Sequence, residues 1–187
     1  MNRKYLFLGS LTGSVVILDQ VTKYLIHHKF RLGESIPMIQ NFFHLTYVRN
    51  TGAAFGLLAD ANPAFRVPFF VIVPIVALAA IAYIFKKIPA DDIKLSCALS
   101  LVVGGAVGNL IDRVYFGFVI DFLDFFIGVN HFPAFNIADS AICVGVGLLM
   151  LDLLVQQQPV STTTSPSDGT NDTASKSVKD THVSSSL

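Results

Sequence analysis

Four aspartates, Asp19, Asp112, Asp121 and Asp139, lie in or beside long apolar runs of this 187-residue chain. A charge at the centre of a bilayer costs on the order of 2.5–3.5 kcal/mol on insertion scales, so an ionisable group there is a candidate functional group by default. Two carboxylates with a water between them suffice for amide hydrolysis. Held close together they cannot both ionise, and one proton is shared between them. The ionised partner takes a proton from water as general base. The protonated partner polarises the scissile carbonyl and then helps deliver a proton to the leaving nitrogen.

Each acid also has a structural reading. Asp19 and Lys23 stand at i and i+4 with the acid first, the favourable order for a helical ion pair. Asp112 lies beside Arg113, just past Asn109, and can be neutralised there at a helix end. Asn136-x-x-Asp139 has the spacing of an N-cap residue and an acidic third helical position, so capping alone would explain it. Its apolar setting and the company of the other carboxylates point instead to a functional role. Asp121, within Val119-Ile120-Asp121-Phe122, has no adjacent cation. Helix-terminal Asp139 should favour its charged form and apolar-flanked Asp121 its neutral form, so Asp139 is the expected starting base.

The elements that must position these acids follow from hydropathy. The chain is 52% hydrophobic and 14% charged, with a mean hydropathy of +0.60, against roughly 25% charged residues in soluble domains. It reads as an all-α membrane protein with four transmembrane helices over about 5–26, 66–85, 95–111 and 137–155. Pro68 and Pro74 fall in the second, and Gly104, Gly105 and Gly108 in the third allow close helix approach. Residues 29–65 are long enough for a small β-sheet insertion between helices 1 and 2, extracytoplasmic in the orientation below. There 36–39 and 42–48 form strands around Gln40-Asn41. The segment 114–135 holds seven of the sixteen phenylalanines, too apolar for a free loop, and should pack on the bundle or lie in the interface. Residues 1–155 thus form one membrane domain, and 156–187, rich in Ser and Thr, read as a disordered cytoplasmic tail.

Arg3-Lys4 before an apolar run resembles a signal peptide, but no small-x-small site follows, and the segment is read as a retained span anchored with Tyr5, Tyr24 and Tyr83 at the interfaces. Arg3, Lys4, Lys86, Lys87 and Lys94 favour both termini inside; Lys29, Arg31 and Arg49, with flanking Lys23 and Arg66, oppose this from a loop long enough to count less. With four alternating spans, Asp19, Lys23, Asn109, Asp112, Arg113, Asn136 and Asp139 share one membrane face, and the loops there add Asn50 and Asp121.

Zero formal net charge gives no electrostatic case for nucleic acid. There is no His-Glu-x-x-His run for zinc and no Gly-rich phosphate loop, and neither a metal nor a cofactor is expected. Ser14, Ser96, Ser100 and Ser140 have no histidine base within the membrane. Cys97 and Cys143 read as small buried apolar residues rather than a disulfide or metal pair.

Five ordered blocks then resemble the lipoprotein signal peptidase (signal peptidase II) family across nearly all of 5–155. They are Asp19-Gln20-Val21-Thr22-Lys23, Arg49-Asn50-Thr51-Gly52-Ala53-Ala54-Phe55, Gly104-Gly105-Ala106-Val107-Gly108-Asn109-Leu110-Ile111-Asp112-Arg113, Val119-Ile120-Asp121, and Phe135-Asn136-Ile137-Ala138-Asp139-Ser140. The resemblance implies an aspartic endopeptidase of the bacterial inner membrane, with its site near the periplasmic side. It would remove signal peptides from prolipoproteins before a diacylglyceryl-modified cysteine, acting as a monomer amid membrane lipid. By it Asp121 and Asp139 are the catalytic dyad. Asn50, Asn109, Arg113 and Asn136 orient substrate or support the dyad, and Asp19 with Lys23 is a structural pair. Asp112 is the rival dyad member, set second because Arg113 offers it a partner. Phe116, Phe118, Phe122 and Phe125 are expected to pack on one another more than on substrate. The alternatives are a small membrane transporter or proton-relay subunit, since intramembrane carboxylates also mark ion paths, and a non-catalytic assembly factor.

Overall fold

The structure, a computed structural model, describes residues 3–53, 56–89 and 91–156. Its elements are α1 (Arg3–Lys29), β1 (Ser35–Ile39), β2 (Phe43–Asn50), α2 (Pro63–Lys87), α3 (Ile93–Phe116), β3 (Val119–Ile127), β4 (Asn130–His131) and α4 (Ile137–Gln156). All four helices are long and apolar enough to cross a membrane. Each contains its predicted span. The tail expected at 156–187 lies, past Gln156, outside the described residues.

Local chemistry sets the helix ends. Asn62 accepts from the Ala64 N–H at 2.9 Å and Pro63 opens α2, where its missing N–H leaves no bond unmade. Asp92 accepts from the Leu95 N–H at 3.0 Å at the start of α3. Gly117 closes α3 at φ +75°, a conformation that a side chain rarely adopts. The third helix runs one turn further than hydropathy predicts because Asp112 and Arg113 are accommodated inside it.

Helix α3 is the axis of the bundle, and its small residues allow this. A Cβ on Gly104 would stand 2.8 Å from Val15 of α1, and one on Gly105 would stand 2.2 Å from the Ala138 carbonyl of α4. With period 3.6, Gly104, Gly108 and Asp112 form one stripe facing α1, while Gly105, Asn109 and Arg113 form the next. Asp112 thus continues the first glycine track, and Asn109 and Arg113 the second, toward the same end of the bundle.

The strands form one antiparallel sheet in the order β1-β2-β3-β4. The predicted hairpin of β1 and β2 is present, with Asn41 at φ 59° in its turn. The sheet's other half comes from the segment between α3 and α4, where 119–127 packs on the bundle as expected but does so as a strand, absent from the elements expected from sequence. Its unbroken Val-Ile and Phe-Phe runs lack the alternation that marks a half-buried strand. Ile120 and Phe122 pack with Ile26 and Tyr47, joining the sheet to the end of α1. Strand periodicity therefore turns Asp121 the other way. Phe116 and Phe118 stack on each other at 5.5 Å, as expected.

Candidate active site

The sheet brings the first two functional side chains together. Val48 pairs with Asp121 and Asn50 with Val119, so Asn50 and Asp121 are diagonal neighbours on one face. The Asn50 amide donates from Nδ2 to Asp121 Oδ2 at 3.0 Å. The other carboxylate oxygen, Oδ1, accepts from Asn136 Nδ2 at 2.7 Å.

Asn136 and Asp139 do form the reciprocal cap. Asn136 Oδ1 accepts from the Asp139 N–H at 2.9 Å, and Asp139 Oδ2 accepts from the Asn136 N–H at 3.2 Å. The cap leaves Asp139 Oδ1 available, and it accepts from Asn109 Nδ2 of α3 at 2.7 Å. The two readings that compete in the sequence are compatible in space.

All three asparagine amides are held in one sense by donors that cannot accept. The oxygen of Asn50 receives the Gly52 N–H at 3.0 Å, that of Asn136 the Asp139 N–H, and that of Asn109 the Lys23 ammonium at 2.9 Å. Each NH₂ must then face a carboxylate. Every oxygen of Asp121 and Asp139 thus receives one donor, and no ion pair reaches either acid among the described residues. Burial pushes the Asp121 carboxyl up to about 7, and the nearby Asp139 charge acts in the same direction; the amides of Asn50 and Asn136 and the charge of Lys23 oppose it.

Asp19 and Asp112 are bound differently. Lys23 lies 2.9 Å from Asp19 Oδ2 and 3.0 Å from Asp112 Oδ2, and all three residues are at most 1% exposed. The i,i+4 pair is therefore part of a larger cluster. Asp112 takes Lys23, not its neighbour Arg113, as its cation, which corrects the expected pairing. Arg113 donates to the Gly52 carbonyl at 2.5 Å and lies over the Phe70 ring at 4.3 Å. A helix separates successive side chains by about 100°, so adjacent residues face different neighbours.

Gln20, absent from the sequence-derived set, bridges the cluster by donating to Asp112 Oδ1 at 3.0 Å and Asp19 Oδ2 at 3.2 Å. Its signal was an uncharged polar residue between two charged ones inside a span. A second correction concerns the cysteines. Both thiols are free; Cys97 is half-buried, but Cys143 is exposed.

Asn50, Asn109, Arg113, Asp121 and Asp139 line a common cavity of about 980 Å³. Its remaining wall is mainly apolar, with Val119, Phe132, Phe135 and Ile142 among the contributors, and Cys143 opens onto it one turn beyond Asp139. Every site residue taken from the sequence thus falls either on this cavity or in the lysine cluster behind it, save Asn136, whose fully buried amide joins the two acids from below. A cavity of this kind can hold an apolar chain with a polar group presented to two adjacent carboxyls.

A protein-family model described as signal peptidase (SPase) II matches residues 11–155. The lipoprotein signal peptidase of Syntrophotalea carbinolica is 56% identical over 137 residues, covering 73% of this chain and 84% of that protein. That of Geobacter sulfurreducens is 48% identical over 158 residues, covering 84% of this chain and 98% of the relative. Among solved structures, a bacterial membrane enzyme determined by the in meso method at 2.3 Å resolution superposes with a TM-score of 0.71 at 38% identity, covering 87% of this chain and 94% of that one.

Proposed function

The chain belongs to the signal peptidase II family, and we propose that within it Asp121 and Asp139 act as an aspartic dyad that hydrolyses a peptide bond with a water held between them. Lipoprotein signal peptidase is the function its relatives support, and four spanning helices with this family fit a multi-pass protein of the bacterial inner membrane. The substrate in this reading is a prolipoprotein, cut before its diacylglyceryl-modified cysteine. The acyl chains of such a cysteine sit in the bilayer and its peptide bond near the interface. A cavity at one end of the bundle, apolar along its walls and polar at the dyad, suits that geometry. Both termini are then cytoplasmic and the dyad lies toward the periplasmic face, as the lysines and arginines around spans one to three favour.

In the reaction Asp139, held by an amide and a helix N-terminus, is the base that takes a proton from the attacking water. Asp121, protonated near neutral pH, donates a hydrogen bond to the scissile carbonyl. Its proton, or the one taken from water, then passes to the leaving nitrogen, and the peptide separates as acid and amine. Arg113 and Asn50 border the cavity and orient the substrate backbone.

The observation that carries this reading is that two carboxyls, Asp121 buried and Asp139 half-buried, share one cavity with amide donors and no cation bound to either among the described residues. The test is cleavage of a diacylglyceryl-cysteine peptide in detergent. Asp121→Asn and Asp139→Asn should each lower kcat by about 10³-fold or more while the protein still inserts and folds. Normal turnover by either variant ends the assignment.

A further inference from the structure

Lys23 makes three hydrogen bonds, each to a group that reaches the dyad by one further step. Asp19, bound through Oδ2, accepts with Oδ1 from the Ala138 N–H at 2.9 Å, the residue before Asp139. Asp112 accepts with Oδ2 from the Ile120 N–H at 3.1 Å, the residue before Asp121. Asn109, bound through its oxygen, presents its NH₂ to Asp139 itself. One ammonium on α1 therefore ties the backbone stretch carrying each dyad carboxyl, and the amide facing one of them. The arrangement does not arise from proximity in sequence, since the tied amides are on β3 and α4.

We propose that Lys23 is the positioning residue of the dyad, setting the separation of Asp121 and Asp139 and the sense of the Asn109 amide from a site that substrate does not touch. The inference rests on the dyad reading above. A buried ion cluster is a weak source of net stability, because taking the charges out of water offsets most of their attraction. Geometry is what this cluster supplies. A neutral apolar cluster of equal volume would pack as well, yet it would release the Ala138 and Ile120 amides and leave Asn109 free to turn its oxygen toward Asp139. A misplacement on the order of 1 Å between reacting groups costs about 10²-fold in rate.

The charged groups around Asp121 are Asp139 from α4, Arg113 from α3 and Lys23 from α1, with neutral amides from Asn50 and Asn136. Lys23 thus has a distance-borne effect that a merely structural residue lacks. Removing its charge favours the protonated form of Asp121, so the alkaline limb of the pH profile should move to higher pH.

The test uses the full chain in detergent on a diacylglyceryl-cysteine peptide. Lys23→Gln, which keeps two donors without the charge, should lower kcat by about 10²-fold with KM within about twofold, and shift the alkaline limb upward. Combined with Asn109→Ala it should cost less than the product of the two single effects, because both act on one amide. An unchanged kcat, an unmoved alkaline limb or full additivity overturns the proposal. If Lys23→Gln does not fold, the charge-balanced Lys23→Met/Asp112→Asn variant should show the same loss of kcat and the same shortfall from additivity, with its alkaline limb in place because the two lost charges offset; an unchanged kcat or full additivity in it overturns the proposal. Full activity of Asp121→Asn or Asp139→Asn would instead remove the dyad reading itself, whatever Lys23 does.

Discussion

Two pairs of aspartates meet through the backbone N–H groups of Ala138 and Ile120, and one lysine separates their fates. Asp19 and Asp112 have the Lys23 ammonium between them, the Gln20 amide across them and backbone N–H groups at their backs. Their charges are spent holding α1, α3, α4 and the sheet together. Asp121 and Asp139 have amide donors only, and both open onto the cavity. Burial first, and then the nearby Asp139 charge, favour the protonated form of Asp121, which suits the proposed shared-proton chemistry. On the proposed reading, whether an aspartate here is clamp or catalyst follows from whether its partner carries charge and whether it opens onto the cavity.

Giving Asp121 a cation would break the contrast most severely. Asn50→Lys places an ammonium where an amide now donates, so Asp121 should ionise and lose its proposed role as acid. Turnover of the lipopeptide is expected to fall by about 10³-fold with the melting temperature in detergent little changed; retained turnover would mean that the proton on Asp121 is not needed.

The clamp can be broken from the glycine side. A Cβ on Gly108 would stand 2.5 Å from Asp19 Oδ2 and 3.3 Å from the Ala138 Cβ. Gly108→Ala should therefore displace the Asp19 carboxylate and cost about 1–3 kcal/mol of stability, read as a lower unfolding midpoint, with activity reduced in step. An unchanged midpoint would show the cluster to be looser than its geometry.

Acidity sharpens the comparison further. The Asp121 carboxyl, pushed up to about 7, carries its proton below that pH and loses it above. Cleavage at saturating substrate should accordingly decline as pH rises through about 7, by about tenfold per pH unit once the group is mostly ionised. Asn50→Ala removes a donor that favours the charged form and should move that decline to higher pH. A profile flat to pH 9 would exclude Asp121 as the acid.

The smallest expected effect concerns the cavity wall. Cys143 is exposed on the cavity and Cys97 is half-buried. A bulky thiol reagent should inhibit cleavage, a bound lipopeptide should protect, and Cys143→Ser should retain activity within about threefold while losing the sensitivity. Inhibition that persists in the serine variant would place the reacting thiol elsewhere.

The four spans were legible because lipid imposes a local rule, about 20 apolar residues per helix, which each segment satisfies alone. The hairpin at β1 and β2 was legible too, from strand formers flanking Gln40-Asn41. Strand β3 was not, because a strand buried on both faces loses the alternation that identifies it. The cap at Asn136 and Asp139 could be read as spacing, yet its compatibility with a catalytic role depended on a third residue, Asn109, arriving from another helix. Asp112 and Arg113 mislead for a similar reason: neighbours in sequence suggest a pair, while the helix sends them to opposite partners.

By itself, then, the order of residues determined the number of spans, the family and the set of polar groups gathered at one membrane face, since hydropathy and motif are properties of short stretches. Only the tertiary structure decided which acids are clamped and which face the cavity. That depends on whether a donor within about 3 Å is an amide or an ammonium, and on which way each asparagine turns. Both are settled where α1, α3, α4 and the sheet meet, by contacts between residues as far apart as Asp19 and Ala138.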